Sequence, residues 1–548
     1  MKINFLKFAG FIVFCHIFLS SYNSTDKPRY IPIKSIEKYK ELRTAKLNNS
    51  RPLIHNDDCG DVHKFPIHEK YTVSNLLSKR TAGLTGTDVT TISYCPTTTF
   101  GFFLHHTKVG EVLLTHGFDF GFREDTRNVN VEMFAEGTDP LQVSIEFARK
   151  NGFEIFWSNR MNDTHDCEHR VDKPHRLWSK FKENNPQYLF GKIGEGLPYG
   201  RWSSVDYNHQ EIRDLCVRFY KEVCDNYDVD GVELDFLRHF EIFKTVGWGG
   251  YATQEQIDKL TDMVRQIRKV TEEAGMKRGN PILVLTRIPT SPEYAKKAGV
   301  DIEKWIDEGL VDIVVGSCYF RLDFWENFAK LGKGKNVKIY AGLSESRVTN
   351  EHPALVRQQN SVFRARAAAA WEAGLDGMYS FNEYNSRVKY LNEIGYPDKL
   401  KNTNNLYFVT YRDAGAESYL KGGDSFFKTP RLSPSGNHPK FSPKPFEFKI
   451  EIGNEAAQAD VYAIIYADNI TPDDLTVKIN GSEASFKKAT DDGLFIFAVN
   501  QKSIKPGIND FYIKGKEKDD SRVLKVASIF FCRDKDDIEM RKLISLCR

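Results

Sequence analysis

The sequence predicts an α/β fold: a (β/α)8 TIM barrel followed by a small C-terminal antiparallel β-sandwich. Three observations carry this. Short apolar runs alternate with amphipathic helical stretches over residues 50–400, the pattern of a parallel sheet with crossover helices. Eight such runs occur there, which fits a closed barrel with long loops. No Gly-x-Gly-x-x-Gly turn follows any of them, which weighs against a doubly wound open sheet. Beyond Pro397 the apolar period shortens to about two, the signature of an antiparallel sandwich.

In chain order, Lys2 and Lys7 precede an apolar run from Phe8 to Leu19, with Ser20 and Ser21 after it. This is the order of a secretory signal peptide over residues 1–21. The chain is therefore expected to be secreted or periplasmic, or cell-surface associated if the segment is retained. The run falls short of the ~20 apolar residues of a membrane span, and no stable span is expected later. A polar lead follows, from Tyr22 to about Ser50. The predicted strands are Pro52–Asn56, Asp88–Tyr94, Glu154–Asn159, Gly231–Phe236, Ile282–Arg287, Asp312–Ser317, Val337–Leu343 and Gly377–Phe381. Helices are predicted over Gln210–Tyr227, with Ile212, Leu215, Cys216, Phe219 and Val223 on one face, and over Gln254–Ala274. Asp230-Gly231-Val232 and Asp376-Gly377-Met378 open two of the strands. Their glycines are read as relief where a helix turns into the barrel bottom. Residues 401–445 are read as a linker, with five prolines between Pro430 and Pro445. Residues 446–535 form the sandwich, punctuated by turns such as Asn480-Gly481. The sandwich is expected to pack on the barrel, with sugar binding as the alternative role.

Composition narrows the partners. Lysine and arginine number 77 against 74 acidic residues, a net charge of +3 without a basic stripe. That excludes nucleic acid as a natural partner. Aromatic residues make up 13% of the chain, enough for a core and for rings that stack on sugars, so carbohydrate is the expected partner. Nine cysteines, eight without the signal peptide, include no Cys-x-x-Cys pair. Neither a disulfide-dense scaffold nor a zinc ribbon is supported, and no cofactor is called for. Nothing in the sequence sets an oligomeric state.

Function in such a barrel lies at the C-terminal strand ends. The first strand runs into Asp57 and Asp58, and the third into Arg160, Asn162, Asp163, His165 and Asp166. The fourth carries Glu233 and Asp235, then Arg238 and His239; Arg287, Tyr319 and Glu345 end the fifth, sixth and seventh, and Asn382 and Glu383 the eighth. Alternation on the fourth strand turns Glu233 and Asp235 inward together, about 7 Å apart along the strand, where each raises the other's pKa. Glycoside hydrolysis needs one carboxyl protonated and another ionised. Asp235, Glu233 and, across the mouth, Glu345 are the candidate catalytic residues, with Asp166 and Glu383 as further candidates for the opposite wall. The remaining residues named are candidate sugar contacts. The competing reading has Glu233 and Asp235 neutralised by Arg160, Arg238 or Arg287. Trp157, Trp178, Trp202, Trp248 and Trp325 lie in or near the loops as candidate stacking rings. His165 and His169, four apart, raise a metal-site alternative, although the segment reads as a loop and no metal is assigned.

The stretches FWSNRMNDTHD, YDVDGVELDFLRH, LTRIPTSPEYAKKAGVDIEKWIDEGLVDIVVGSCYF and LDGMYSFNEYN resemble the bacterial glycosyl hydrolases called family-10-like. The resemblance covers roughly residues 50–400 and implies a barrel glycosidase without naming a sugar or bond. DGVELDF is also similar to the DGxDxDxE strand of family 18 chitinases. In that alignment Leu237 takes the place of the catalytic glutamate, which argues against substrate-assisted chitinase chemistry. The expected function is an exported O-glycosyl hydrolase acting on a polysaccharide or glycan. The alternatives are a non-catalytic glycan-binding protein on a degenerate barrel, a metal-dependent hydrolase, or a polysaccharide lyase.

Overall fold

The computed structural model describes residues 31–115, 124–317, 320–344, 359–409, 415–430, 439–516 and 521–547. The predicted signal peptide, Tyr319, Glu345 and part of the proline-rich stretch lie outside the described residues. Among the described residues, no helix is long and apolar enough to cross a membrane.

Eight parallel strands close into a barrel: β1 (Leu53–Asp57), β2 (Val89–Tyr94), β3 (Glu154–Arg160), β4 (Gly231–Asp235), β5 (Leu283–Ile288), β6 (Ile313–Gly316), β7 (Lys338–Leu343) and β8 (Gly377–Ser380). Each pairs with its sequence neighbours and β8 closes on β1, so β4 and β8 lie on opposite sides of the ring. Every predicted strand is present within one or two residues. The long apolar runs bury both faces, one on the interior and one on the helices, and such runs are legible without context.

Register fixes the interior layers. Gly231, Glu233 and Asp235 stand level with Phe156, Ser158 and Arg160 on β3, and with Leu283, Leu285 and Arg287 on β5. Asp235 therefore sits between two arginines. The same register explains Gly231 differently from the sequence reading. A Cβ there would lie 2.7 Å from the Phe156 ring, so the glycine makes room for a neighbouring strand's ring and not for a helix turn. Gly377 has an ordinary backbone conformation and yields to the Tyr340 ring and the Arg51 carbonyl.

The polar lead contains an unpredicted helix, α1 (Ile36–Leu47). Its apolar periodicity is weak, but Tyr39, Arg43 and Leu47 are buried. It closes the N-terminal end of the barrel: the Tyr39 hydroxyl accepts from the Ile282 amide at 3.1 Å, and Lys46 Nζ reaches Asp230 at 3.2 Å and the Pro281 carbonyl at 2.7 Å. The helix α2 (Gln210–Asn226) between β3 and β4 matches its prediction, and α3 after β4 extends to Arg278 (Gln254–Arg278), four residues further than predicted.

The C-terminal region forms two antiparallel sheets, one of five strands and one of four. The stretch read as a linker contributes to the larger: β9 (Asn405–Phe408) pairs with β10 (Val523–Cys532). Four residues are too few for the period-two pattern to show in an Asn-rich stretch. The sandwich packs on the barrel through β11 (Phe446–Ile452), where Glu451 accepts from the Trp325 amide at 2.7 Å and pairs with Arg321 at 2.6 Å.

Candidate active site

Glu233 and Asp235 both point into the barrel and are essentially without solvent contact. Their surroundings differ. Asp235 is paired with the Arg287 guanidinium at 2.7 Å, and its carboxylate also accepts from the Leu237 amide at 3.0 Å. Arg287 is itself covered by the Phe381 ring, 3.8 Å from its guanidinium carbon. Glu233, one layer deeper, accepts from the Tyr379 hydroxyl at 2.9 and 3.0 Å and from Ser93 Oγ. Tyr379 comes from β8, on the opposite side of the ring, and the two side chains meet in the barrel interior. Burial first, and the Asp235 carboxylate second, push Glu233 up to about 7, against the opposing pull of Arg287 and its two hydroxyl donors. One carboxyl held protonated near neutrality thus lies directly beneath one held in an ion pair. The neutralisation that the sequence offered as a competing reading is real, and its partner is Arg287, 2.7 Å from Asp235 and 3.9 Å from Glu233.

Above this pair, the ends of β1, β3 and β4 form a charged wall. Asp58 has 15% of its side chain exposed and contacts Arg80 and, at 3.5 Å, Arg160. Burial opposes its charge, but Arg80, Arg160 and Arg238 outweigh that and hold it below the usual carboxylate range. Arg160 also bonds Asp163 at 2.9 Å, and Asp163 accepts from His165 Nδ1 at 2.5 Å. Arg238 donates to His165 Nε2 at 2.9 Å. His165 retains 39% side-chain exposure and is the most open of this group. Asp57 is spent on the turn after β1, accepting from the Cys59 amide at 3.0 Å and from Thr81.

The loop after β8 adjoins this wall at the end of β1 and faces the end of β4 across the barrel. Glu383 is half-buried, accepts from the Asn385 amide at 2.8 Å and the Tyr390 hydroxyl at 3.0 Å, and is raised above the ordinary glutamate value by burial. Asn382 precedes it with a left-handed backbone, φ 55°. Beside them, Tyr384 lies under the Arg80 guanidinium at 4.3 Å.

Like Asp57 and Arg287, three more predicted sugar contacts are committed internally. Asn162 is buried, donates to the Val205 and Glu241 carbonyls at 2.9 and 2.6 Å and accepts from the Val205 amide at 3.0 Å. Asp166 is buried against Lys182 at 2.6 Å. His239 is buried, its Nδ1 accepting from the Thr164 amide at 3.1 Å. A polar loop of this length must satisfy its own backbone, and Asn162 and His239 do so, while Asp166 neutralises the buried Lys182. His169 does not join His165; it stacks on Trp178 at 4.3 Å and accepts from the His175 amide. Donor atoms of Asp163, His165 and His239 do come within 4.8 Å of one another. However, Arg160 and Arg238 both bear on Asp163, and two guanidiniums oppose a cation there.

Sequence reasoning missed Ser93 and Tyr379, the partners of Glu233. Inward alternation along β2 and β8 marks both positions, but only closure of the barrel shows that they meet Glu233. It also missed Glu241, buried beyond β4, which burial pushes up to about 7 while Ser204 and the Arg201 amide donate to it.

No protein-family model matches the chain. It is 25% identical over 253 residues to the glycosyl hydrolase YngK of Bacillus subtilis (strain 168), a match covering 39% of this chain and 47% of that protein. The chain thus spans about half the length of that relative. Among solved structures, similar ones include a glycoside hydrolase family 18 N-acetylglucosaminidase from Paenibacillus barengoltzii (12% identity, 54% of this chain and 68% of that chain, TM-score 0.28). The PgaB (BpsB) glycoside hydrolase domain from Bordetella bronchiseptica is another (9% identity, 61% and 94%, TM-score 0.36), and so is a GH29 alpha-L-fucosidase from Bacteroides thetaiotaomicron (9% identity, 89% and 98%, TM-score 0.34).

Proposed function

We propose that this protein is an exported, family-10-like glycoside hydrolase that cleaves O-glycosidic bonds in a polysaccharide or glycan. The observation that carries the reading is the separation of carboxyl environments around the barrel mouth. Asp235, held by Arg287 at 2.7 Å, is the anionic member that faces the reacting sugar as base or nucleophile. Glu383, on the loop of the strand opposite, is raised by burial and supplies the proton to the leaving oxygen. Acid/base cleavage needs one ionised and one protonated carboxyl, and an ion-paired Asp235 with a burial-raised Glu383 supports that division of roles. Glu233, too deep to touch a sugar, is a positioning residue that keeps a neutral hydrogen-bonded carboxyl beneath Asp235. Glu345, which follows Ser344 in the sequence and lies outside the described residues, is the rival acid. Asp58, Arg160, His165, Arg238 and Tyr384 form the polar wall against which sugar hydroxyls bind.

The non-catalytic glycan-binding reading is favoured by one feature, the burial of Asp235 with Arg287. The two readings part on Glu383→Gln, assayed by reducing-end release from a panel of plant, bacterial and amino-sugar polysaccharides. Loss of the acid is expected to lower kcat by about 10²–10⁴ and to remove the alkaline limb of the native pH profile. That limb should lie above the ordinary carboxyl range. Unchanged rates in Glu383→Gln and a full loss in Glu345→Gln would transfer the acid role to Glu345. Binding without cleavage in the native protein would favour the binding reading.

A further inference from the structure

The five tryptophans near the loops divide sharply. Trp157 and Trp325 are buried in the core, Trp202 nearly so, Trp178 is half-buried, and Trp248 is 45% exposed. Trp178 and Trp248 line one groove of about 890 Å³, built from the long loop after β3 and the shorter one after β4.

Both rings are held rigidly. Trp178 stacks on His169 with 13° between planes, and the buried Lys182 ammonium lies 5.9 Å from its centroid. The Trp248 indole N–H donates to the Phe190 carbonyl at 3.0 Å. Gly247 lets that contact form, since a Cβ there would lie 2.8 Å from the Phe190 ring. An exposed indole fixed in this way offers an apolar surface to a ligand at little cost in side-chain entropy. Long amine and carboxylate side chains, among them Lys180, Lys192, Glu183 and Glu195, also line the groove. Rings with hydrogen-bonding groups around them match a pyranose, apolar on its faces and hydroxylated at its rim.

The groove and the barrel mouth share the same two loops, those after β3 and β4. Trp202 packs on Trp178 at 5.3 Å and donates to the Cys167 carbonyl at 2.9 Å. Cys167 is two residues from His165 in the sequence, so the loop that carries the groove also carries that side chain of the mouth.

We propose that this groove is a distal sugar-binding site, holding units of the glycan that lie several residues away from the bond being cut. The inference rests on the glycosidase reading and adds that the substrate is a chain and not a terminal sugar or disaccharide. The test is affinity electrophoresis of the full chain, native and Asp235→Asn, in gels carrying hydroxyethylcellulose, glucomannan, xylan, polygalacturonate or glycol chitin. At least one polymer should retard both proteins. Trp248→Ala should weaken that retardation about 5-fold, and Trp248→Phe should restore most of it. On the same polymer Trp248→Ala should raise KM with kcat unchanged. Retardation and KM unaffected by Trp248→Ala, or no retardation by any of the five polymers, would overturn the inference. Undiminished hydrolysis by both Asp235→Asn and Glu383→Gln would instead sink the catalytic assignment, while the gel still judges the groove.

Discussion

Only Leu234 separates Glu233 from Asp235, yet their surroundings give the two carboxyls different chemistry. Asp235 meets a guanidinium because the register sets it level with Arg287. Glu233 lies 3.9 Å from the same guanidinium and takes its hydrogen bonds from hydroxyls, because Ser93 and Tyr379 close over it from other strands. The raised pKa of Glu233 has a consequence for stability. Its folded-state value of about 7 lies above the ordinary 4.5. The stabilising contribution of the neutral carboxyl is therefore full below about pH 4.5 and lost as pH rises through about 7. A shift of this size corresponds to roughly 3 kcal/mol at most. Glu233→Gln, neutral at every pH, should escape that loss. Thermal unfolding should show the variant gaining a few degrees on the native protein between pH 5 and pH 8, and an unchanged difference would mean that Glu233 titrates normally.

At the scale of the elements, the interior layer formed by β3, β4 and β5 aims the site. Gly231 accommodates Phe156 and so lets β4 lie close enough to β3 for Arg160 and Asp235 to stand level. Gly231→Ala should cost about 1–3 kcal/mol through overpacking, measured by denaturant unfolding, and Phe156→Leu in the same chain should recover part of it. Full stability in Gly231→Ala would show that the ring has room to move. The eight strands are legible in the sequence because each is a continuous apolar run, and the polar residues that end them mark the mouth by composition alone. Legibility ends at the partners. Asp235 and Glu233 stand out by alternation, but Tyr379 is distant in sequence and joins Glu233 only when the barrel closes. Asn162 and Asp166 look like sugar ligands in a polar loop, yet the loop's own backbone and Lys182 consume them. Among the tryptophans, composition cannot separate Trp157, buried in the core, from Trp248 with its open face.

On the scale of the whole molecule, the sandwich and the barrel are joined by buried charge as well as apolar packing. Glu451 is buried between Arg321 and the Trp325 amide, and Asn404 and Arg364 tie the entry to β9 onto the helix after β7. Removing one member of a buried pair leaves the other uncompensated, at a typical cost of about 3–5 kcal/mol. Glu451→Ala should therefore split a single calorimetric transition into two, with the sandwich unfolding first, whereas one unshifted transition would show that the apolar contact suffices. Through these contacts the sandwich supports the loop after β6, while the loops after β3, β4 and β8 are left to form the mouth. The central claim concerns that mouth, and hydrolysis by Asp235→Asn tests it most directly. With folding confirmed by circular dichroism at the assay temperature, kcat on a glycan that the native protein is found to cut should fall by about 10³-fold or more; a rate within about tenfold of native would contradict the account.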